Sequence, residues 1–301
     1  MYFPIADVTI SPILLMSVGF LVGILGGFFG VGGGFLAGPM MFWTGVPMNF
    51  VVGTDLAHMT GKSIVAARRH RALGHVDFKL GMYMVAGTII GVEIGARIIE
   101  ALQVSGAIDM TIGVTYIVIL VIISIFTGWE SIKAIQMVRT DQIDVHDAVG
   151  FKGISKKIRS IKIPPMVSFP ASGIESISIW MVLGVGLFTG VLAGSLGVGG
   201  GFIRMPMLVY VLGIPTHVAV GTDLFEIIFS SGFGTITHGL KGNVDILMAL
   251  VMQTGAVLGA QIGATATRFF AGPRIRLAFS VLPLIGAVLV VVRLLGSGMM
   301  H

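Results

Sequence analysis

Long apolar stretches alternate with short polar breaks along this chain. They fall at about 13–29, 34–45, 47–68, 79–101 and 106–128, then at about 177–196, 202–213, 215–238, 246–267 and 276–297. A helix that crosses a hydrocarbon core ~30 Å thick needs roughly 20 apolar residues. Six stretches meet that length, while the first and sixth are marginal or interrupted by glycine. The 34–45 and 202–213 stretches have 12 residues each, about 18 Å as helix. Neither crosses alone without thinning or tilt, so both are expected to be half-helices. The pattern predicts an all-α polytopic membrane protein with about eight full spans, or ten membrane segments in all.

Composition removes the alternatives. Of 301 residues, 55% are hydrophobic and 11% charged, against about 25% charged in a soluble domain. That is too little charge to cover a soluble enzyme or to keep a chain disordered. No cysteine is present, which excludes disulfides, thiolate metal sites and a cysteine nucleophile. Met1 to Pro12 holds no Lys or Arg, so the first stretch is expected to be a retained span and not a cleaved signal.

Trp129–Ser176 is the one long polar connection. It carries Lys133, Arg139, Lys152, Lys156, Lys157, Arg159 and Lys162 beside Asp141, Asp144 and Asp147. It reads as a cytoplasmic linker, with a short surface helix at 130–139, between a first transmembrane repeat (1–128) and a second (177–301). Its basic residues fit topogenic charge or contact with anionic lipid better than nucleic acid.

The two sets of stretches are copies. Gly30-Val31-Gly32-Gly33-Gly34-Phe35 recurs as Gly197-Val198-Gly199-Gly200-Gly201-Phe202, and Pro39-Met40 as Pro206-Met207. After a one-residue insertion, Pro47 matches Pro215 and Gly53-Thr54-Asp55-Leu56 matches Gly221-Thr222-Asp223-Leu224. His70, Gly74 and Val76-Asp77 return as His238, Gly242 and Val244-Asp245. Apolar bias would match Leu with Val, but not these blocks. Duplication with glycine-interrupted short segments in corresponding places points to a secondary transporter with its site at the repeat interface.

Charge sets the orientation. Lys62, Arg68, Arg69, Arg71 and Lys79 flank the connection after the third stretch, and the 129–176 linker is also basic. Both are expected inside. Arg268, Arg274 and Arg276 outnumber Lys241 in the competing loops of the second half. Placing them inside favours inverted over parallel repeats. Each half then crosses an odd number of times, five if the short segments cross and three if they are re-entrant, with both termini outside.

Several polar residues stand at membrane depth. Asp55 lies eight residues after Pro47, about 12 Å along a helix, and Asp223 repeats the spacing after Pro215. A carboxylate there must be protonated, paired or facing a wet cavity, either as a proton-responsive group or as a structural cap. Gly32-Gly33-Gly34 and Gly199-Gly200-Gly201 are poor helix interior. They are expected to unwind the chain and start half-helices whose positive ends attract an anion, the alternative being close helix packing. No βαβ context or following Lys-Ser/Thr supports a phosphate loop. The copies differ where a specialised site would: Arg204 replaces Ala37, and Glu226 replaces His58. Arg204 then either holds a ligand or neutralises Asp223 or Glu226.

The repeated Gly-Val-Gly-Gly-Gly-Phe…Pro and Gly-Thr-Asp-Leu blocks resemble the sulfite exporter TauE/SafE family of bacterial and archaeal membrane proteins. The resemblance covers about 12–128 and 177–297, on the motif residues Gly32 to Gly34, Gly199 to Gly201, Thr54, Asp55, Thr222 and Asp223. It implies export of small sulfur-containing anions, such as sulfite or sulfoacetate, across the cytoplasmic membrane. The expectation is then a non-enzymatic, proton-coupled transporter that needs no cofactor or metal. The anion would sit between the glycine runs, held by backbone N–H groups, Thr54, Thr222 and Arg204. Asp55, Asp223, Glu226 and His58 would serve coupling. The rivals are an anion channel and an intramembrane aspartyl protease using Asp55 and Asp223.

Overall fold

A computed structural model describes residues 1–105, 108–141, 152–197 and 200–298. The first half holds α1 (Pro12–Phe29), α2 (Gly34–Trp43), α3 (Met48–Ala72), α4 (Phe78–Ser105) and α5 (Ile108–Asp141). A short helix, α6 (Lys152–Arg159), follows. The second half holds α7 (Ile179–Leu196), α8 (Gly201–Pro206), α9 (Thr216–Leu240), α10 (Ile246–Ala266) and α11 (Gly272–Gly298). Among the described residues, six helices, α1, α4, α5, α7, α10 and α11, contain a segment long and apolar enough to cross a membrane. The chain is a multi-pass integral membrane protein. α3 and α9 have 25 residues each, ample length, but they carry the charged residues and fall outside that apolar class.

Two departures from the pattern have clear causes. Short hairpins, β1–β2 (Tyr2–Phe3, Val8–Thr9) and β3–β4 (Met166–Phe169, Ile174–Ser178), precede α1 and α7, a small addition to a mostly helical chain of the expected all-α polytopic class. Open sheet edges are excluded only from the hydrocarbon region, and these hairpins cap helix ends. Secondly, α5 does not stop at 128. Glu130, Ser131 and Ala134 are fully buried, so the expected surface helix at 130–139 is the last part of a continuous helix. Asp144 and Asp147 lie outside the described residues.

Glycine sets the packing. Gly19, Gly23 and Gly27 of α1 meet the backbone of Met252, Ala256 and Ala260 in α10, and Gly255, Gly259 and Gly263 return the contact to Met16, Phe20 and Ile24. Residue numbers rise together, so α1 and α10 run in the same direction. α4 and α7 repeat this, with Gly87, Gly91 and Gly95 on Leu183, Leu187 and Val191. Lipid tails are as apolar as leucine, so close backbone approach has to supply the attraction. α5 and α11 pair in opposite directions, through Ser124 to Ser280 and Glu130 to Arg276.

The glycine runs break the helices as expected. Gly30 and Gly33 take φ 77° and 76°, and Gly197 and Gly200 take 71° and 74°, a region that costs other residues Cβ strain. A Cβ on Gly33 would lie 2.6 Å from the Val22 carbonyl oxygen, and one on Gly200 the same distance from that of Thr189. The chain thus folds back on the helix it has just left. α8 passes into a π-helical turn at Met207–Val211. Its far end is tied to the linker, where Arg159 Nε and Nη2 donate to Leu212 O at 3.0 and 2.8 Å.

The close contacts predict steep sensitivity on one face only. Gly19→Val and Gly91→Val should each lower the melting temperature in detergent, by an amount corresponding to about 1–3 kcal/mol or more. Gly184→Val, whose Cβ meets nothing within 4 Å, should not. Equal melting temperatures for all three would refute glycine-mediated packing.

Candidate functional site

The site is built where α3 and α9 cross. Leu56 meets Gly234, Thr60 approaches Gly232, and Met59 and Ile227 both press on Gly32 of the first break. Pro47 and Pro215 are the N-caps of α3 and α9. Their rigid φ fixes where each helix starts, eight residues before its aspartate.

Each helix is pinned by the other half of the chain. The Asp245 N–H donates to Thr54 Oγ1 at 3.0 Å, and the Asp77 N–H donates to Thr222 Oγ1 at 2.9 Å. Asp245 and Asp77 in turn accept from the Met248 and Leu80 N–H groups, both at 3.0 Å, capping α10 and α4. The hairpins finish the arrangement: Ala6 N–H donates to Asp245 Oδ2 and Ser172 Oγ to Asp77 Oδ2. At the other helix ends, His70 Nε2 meets Gly27 O at 3.0 Å and His238 Nε2 meets Gly194 O at 2.8 Å. The hydroxyl oxygens of Thr54 and Thr222, expected to face a ligand, are therefore occupied in joining the halves.

Two buried polar clusters lie within this frame. In the second half, Arg204 Nη1 pairs with Asp223 Oδ1 at 3.0 Å and with Glu226 Oε2, and its Nε donates to Thr189 Oγ1 at 3.1 Å. Ser230 Oγ donates to Glu226 Oε2 at 3.2 Å. Arg204, Asp223 and Glu226 are all fully buried. Arg204 Nη2 and Asp223 Oδ2 are buried without a hydrogen-bond partner, and Nη2 lies against Gly200, 2.8 Å from where a Cβ would stand. So Arg204 does neutralise the two acids, and it also keeps one N–H group aimed at the glycine break.

In the first half, Asp55 Oδ1 and Lys62 Nζ each lie 3.1 Å from His58 Nδ1. Gln253 reaches across from α10, its amide donating to His58 O at 2.7 Å and accepting from Lys62 N–H at 2.9 Å. Asp55 Oδ2 and His58 Nε2 are buried without a partner.

The structure brings Arg204, Asp223 and Glu226 into one triad and Asp55 and His58 into one relay. Gly32, Gly33, Gly34, Gly200 and Gly201 sit at the breaks, and Gly199 lies outside the described residues. Asp55 and Asp223 have separate partners, His58 and Arg204, where a protease dyad would share one proton between its two acids. Two positions counted as loop charge are not at the surface. Lys62 is 2% exposed and part of the relay, and Arg276 is 1% exposed and paired with Glu130 at 3.2 Å. A charge in an apolar bundle needs a partner more than it needs the interface. Thr189, which no sequence pattern marked, and Gln253 join these clusters. Tyr116 Oη donates to Gly34 O at 3.1 Å, closing the first break. Among the described residues, no group of three or more His, Asp or Glu side chains is placed to hold a metal.

With this geometry in view, comparison with known proteins gives the class. The family model described as Sulfite exporter TauE/SafE matches residues 15–290, and the chain belongs to that family. It is similar to the probable membrane transporter protein YunE of Bacillus subtilis, at 27% identity over 86% of this chain and 89% of the relative. It is also similar to the probable membrane transporter protein YdhB of the same organism, at 25% identity over 92% and 98%. The sulfite exporter TauE/SafE family protein 3 of Arabidopsis thaliana aligns at 26% identity over 48% of this chain and 29% of its own. No solved structure matches the chain. The protein is a membrane transporter of this family.

The triad makes a prediction that separates charge pairing from chemistry. Arg204→Met alone should destabilise the protein by about 3–5 kcal/mol, because two buried carboxylates lose their cation. Arg204→Met with Asp223→Asn and Glu226→Gln should recover most of that in thermal unfolding. If the triple variant is no more stable than the single, the acids do not depend on the arginine.

Proposed function

We propose that the protein is an inverted-repeat secondary transporter that exports small sulfur-containing oxyanions, sulfite or an organosulfonate such as sulfoacetate, from the cytoplasm in company with a proton. The single observation that carries this reading is Arg204, a fully buried guanidinium with an unpartnered Nη2 at the Gly200 break.

Helix direction supports the inversion. α3 runs in the same direction as α10, since Gly53 meets Asn243 and Gly61 meets Gln253, and α1 runs with α10. α9 runs with α4, since Gly221 meets His75 while Phe225 meets Gly81, and α4 runs with α7. A tight turn joins α3 to α4, so the two groups oppose each other. Equivalent helices of the halves then point in opposite directions, and five membrane segments per half put both termini on one face and the linker on the other. The linker face is taken as cytoplasmic on the charge rule, in a cell membrane.

The triad supplies a coupling rule. Arginine with two ionised acids carries one net negative charge, which repels an anion. One proton on Asp223 or Glu226 brings the triad to neutrality, and it frees an N–H of Arg204 from its carboxylate. Arg204 Nη1 and Nη2 can then present a planar fork to an oxyanion, beside backbone N–H groups at the start of α8. Anion and proton binding are thereby linked, each strengthening the other. Rocking one repeat against the other would carry both across. The same site would serve an anion channel. Channel conductance, visible in electrical recording, would mark that second reading.

The test is transport in proteoliposomes under an imposed pH difference, with sulfite, sulfoacetate, sulfate, thiosulfate, taurine and simple carboxylates as a panel. Sulfite or sulfoacetate should move with protons and should raise the melting temperature more at low pH. Glu226→Gln should flatten that pH dependence. Arg204→Lys, which keeps the charge but loses the fork, should cut transport at least tenfold. Full transport by Arg204→Lys, or no response to any sulfur oxyanion, would overturn the reading.

A further inference from the structure

The two halves differ on their lipid-facing sides. Between α3, α9 and α10 lies a cavity of about 360 Å³, lined by Ala57, Thr60 and Gly61, by Gly232 and Thr235, and by Gln253. Ile246 and Leu250 flank it, 49% and 59% exposed, so it opens towards acyl chains and not water. A second cavity of about 570 Å³ follows along the same α3–α10 pair, lined by Ile64, Arg68, Arg69, Gln261 and Thr265. Arg69 Nε donates to Thr265 Oγ1 at 3.1 Å, which steadies one of two exposed guanidinium groups. Arg68 lies eleven residues beyond Ala57, about 16 Å along the helix. That is about half of a ~30 Å hydrocarbon core, the depth of one leaflet.

The second half carries bulkier, uncharged residues at the equivalent positions. Phe225, Ile228 and Phe229 stand where the first half has Ala57, Thr60 and Gly61, and Ile236 and Thr237 where it has Arg68 and Arg69. Phe225 packs edge-on against Phe78 and Phe229, with ring centroids 5.0 and 5.2 Å apart, and fills the space. Room for a chain and charge for a head group occur together on the first-half face, and the small residues and the arginines are replaced together in the second half.

We propose that the α3–α10 groove seats one anionic phospholipid, its phosphate on Arg68 and Arg69 and an acyl chain in the cavity beside Gln253. Because Gln253 also holds His58 and Lys62, the chain would end against the first-half relay. Lipid chains gain little from leaving other lipid, so head-group charge sets the selectivity. Two arginines should give roughly a tenfold to thirtyfold preference for an anionic over a zwitterionic head group.

The experiment is native mass spectrometry and thermal unfolding of the delipidated protein with phosphatidylglycerol, phosphatidylcholine or inorganic phosphate added. One phosphatidylglycerol should be retained with that preference and should raise the melting temperature. Arg68→Gln with Arg69→Gln, both at exposed positions, should abolish the preference without changing the lipid-free melting temperature. Ala57→Phe, which copies the second half, should weaken retention several-fold. Equal retention of both lipids, or an unchanged preference in the double variant, would overturn the proposal. So would equal stabilisation by inorganic phosphate, which would make the arginines a site for a free anion. None of these readouts uses transport, so the site stands or falls apart from the exporter reading.

Discussion

Everything in this bundle answers to the cost of holding Arg204, Asp223 and Glu226 in an apolar interior. An ion removed from water is tolerated only when partners and hydrogen bonds replace the lost hydration. Meeting that demand dictates local structure. Arg204 must start close to the bundle axis, so the chain breaks at Gly200 and a short helix delivers it. Asp223 and Glu226 lie three residues apart on α9 and present one face to it. Thr189, one helix back, takes the remaining Nε. Breaking the helix exposes backbone, and the second copy of the break lies symmetrically in the first half, where Tyr116 takes the Gly34 carbonyl.

Burial of charge also explains why the frame is locked so symmetrically. A buried triad that keeps its contacts needs the helices carrying it fixed in register. Thr54 and Thr222 provide this by accepting the N–H of the capping aspartate in the opposite half. The glycine seams of α1 with α10 and α4 with α7 then carry each half's first helix on the other half. The halves are interleaved, and neither pair of seams closes without both copies. In the rocking mechanism proposed above, any movement of one half against the other would have to work through this interleaving.

Much of this was legible in the sequence, and the limits are physical. Gly-Thr-Asp-Leu and the glycine runs stand out because an apolar chain has little reason to repeat them, and they do locate the breaks and the central helices. The Arg204–Glu226 pairing was legible because both residues depart from the duplication at once. The use of Thr54 and Thr222 was not. Their partners, Asp245 and Asp77, lie 191 and 145 residues away in sequence, and a hydroxyl near a site looks the same whether it meets a ligand or a backbone. Lys62 and Arg276 were read as surface charge because a lysine or arginine at a helix end usually is. Arg276 is buried against Glu130, 146 residues away, which periodicity does not bring together, whereas Lys62 lies one turn after His58 and its burial follows from the packing of α3 and not from spacing. Glu130 was hidden by the end of the apolar run at 128, although the helix continues past it.

The first-half relay shows what duplication allows once one copy has taken the ion triad. His58 Nδ1 has room for a single hydrogen. It either donates to Asp55 or accepts from Lys62, and the two arrangements differ only in where one proton rests. The second half fixes its charges around a guanidinium that does not release a proton, with no equivalent freedom. The two copies thus hold different chemistry, a cluster with a movable hydrogen in the first half and a guanidinium paired with two acids in the second. An inverted repeat with identical halves would hold the same chemistry facing both sides of the membrane. Arg204 in place of Ala37 and Glu226 in place of His58 make the two halves chemically unequal. Under the proton-coupled reading proposed above, that inequality is what would let the two halves answer differently to a proton.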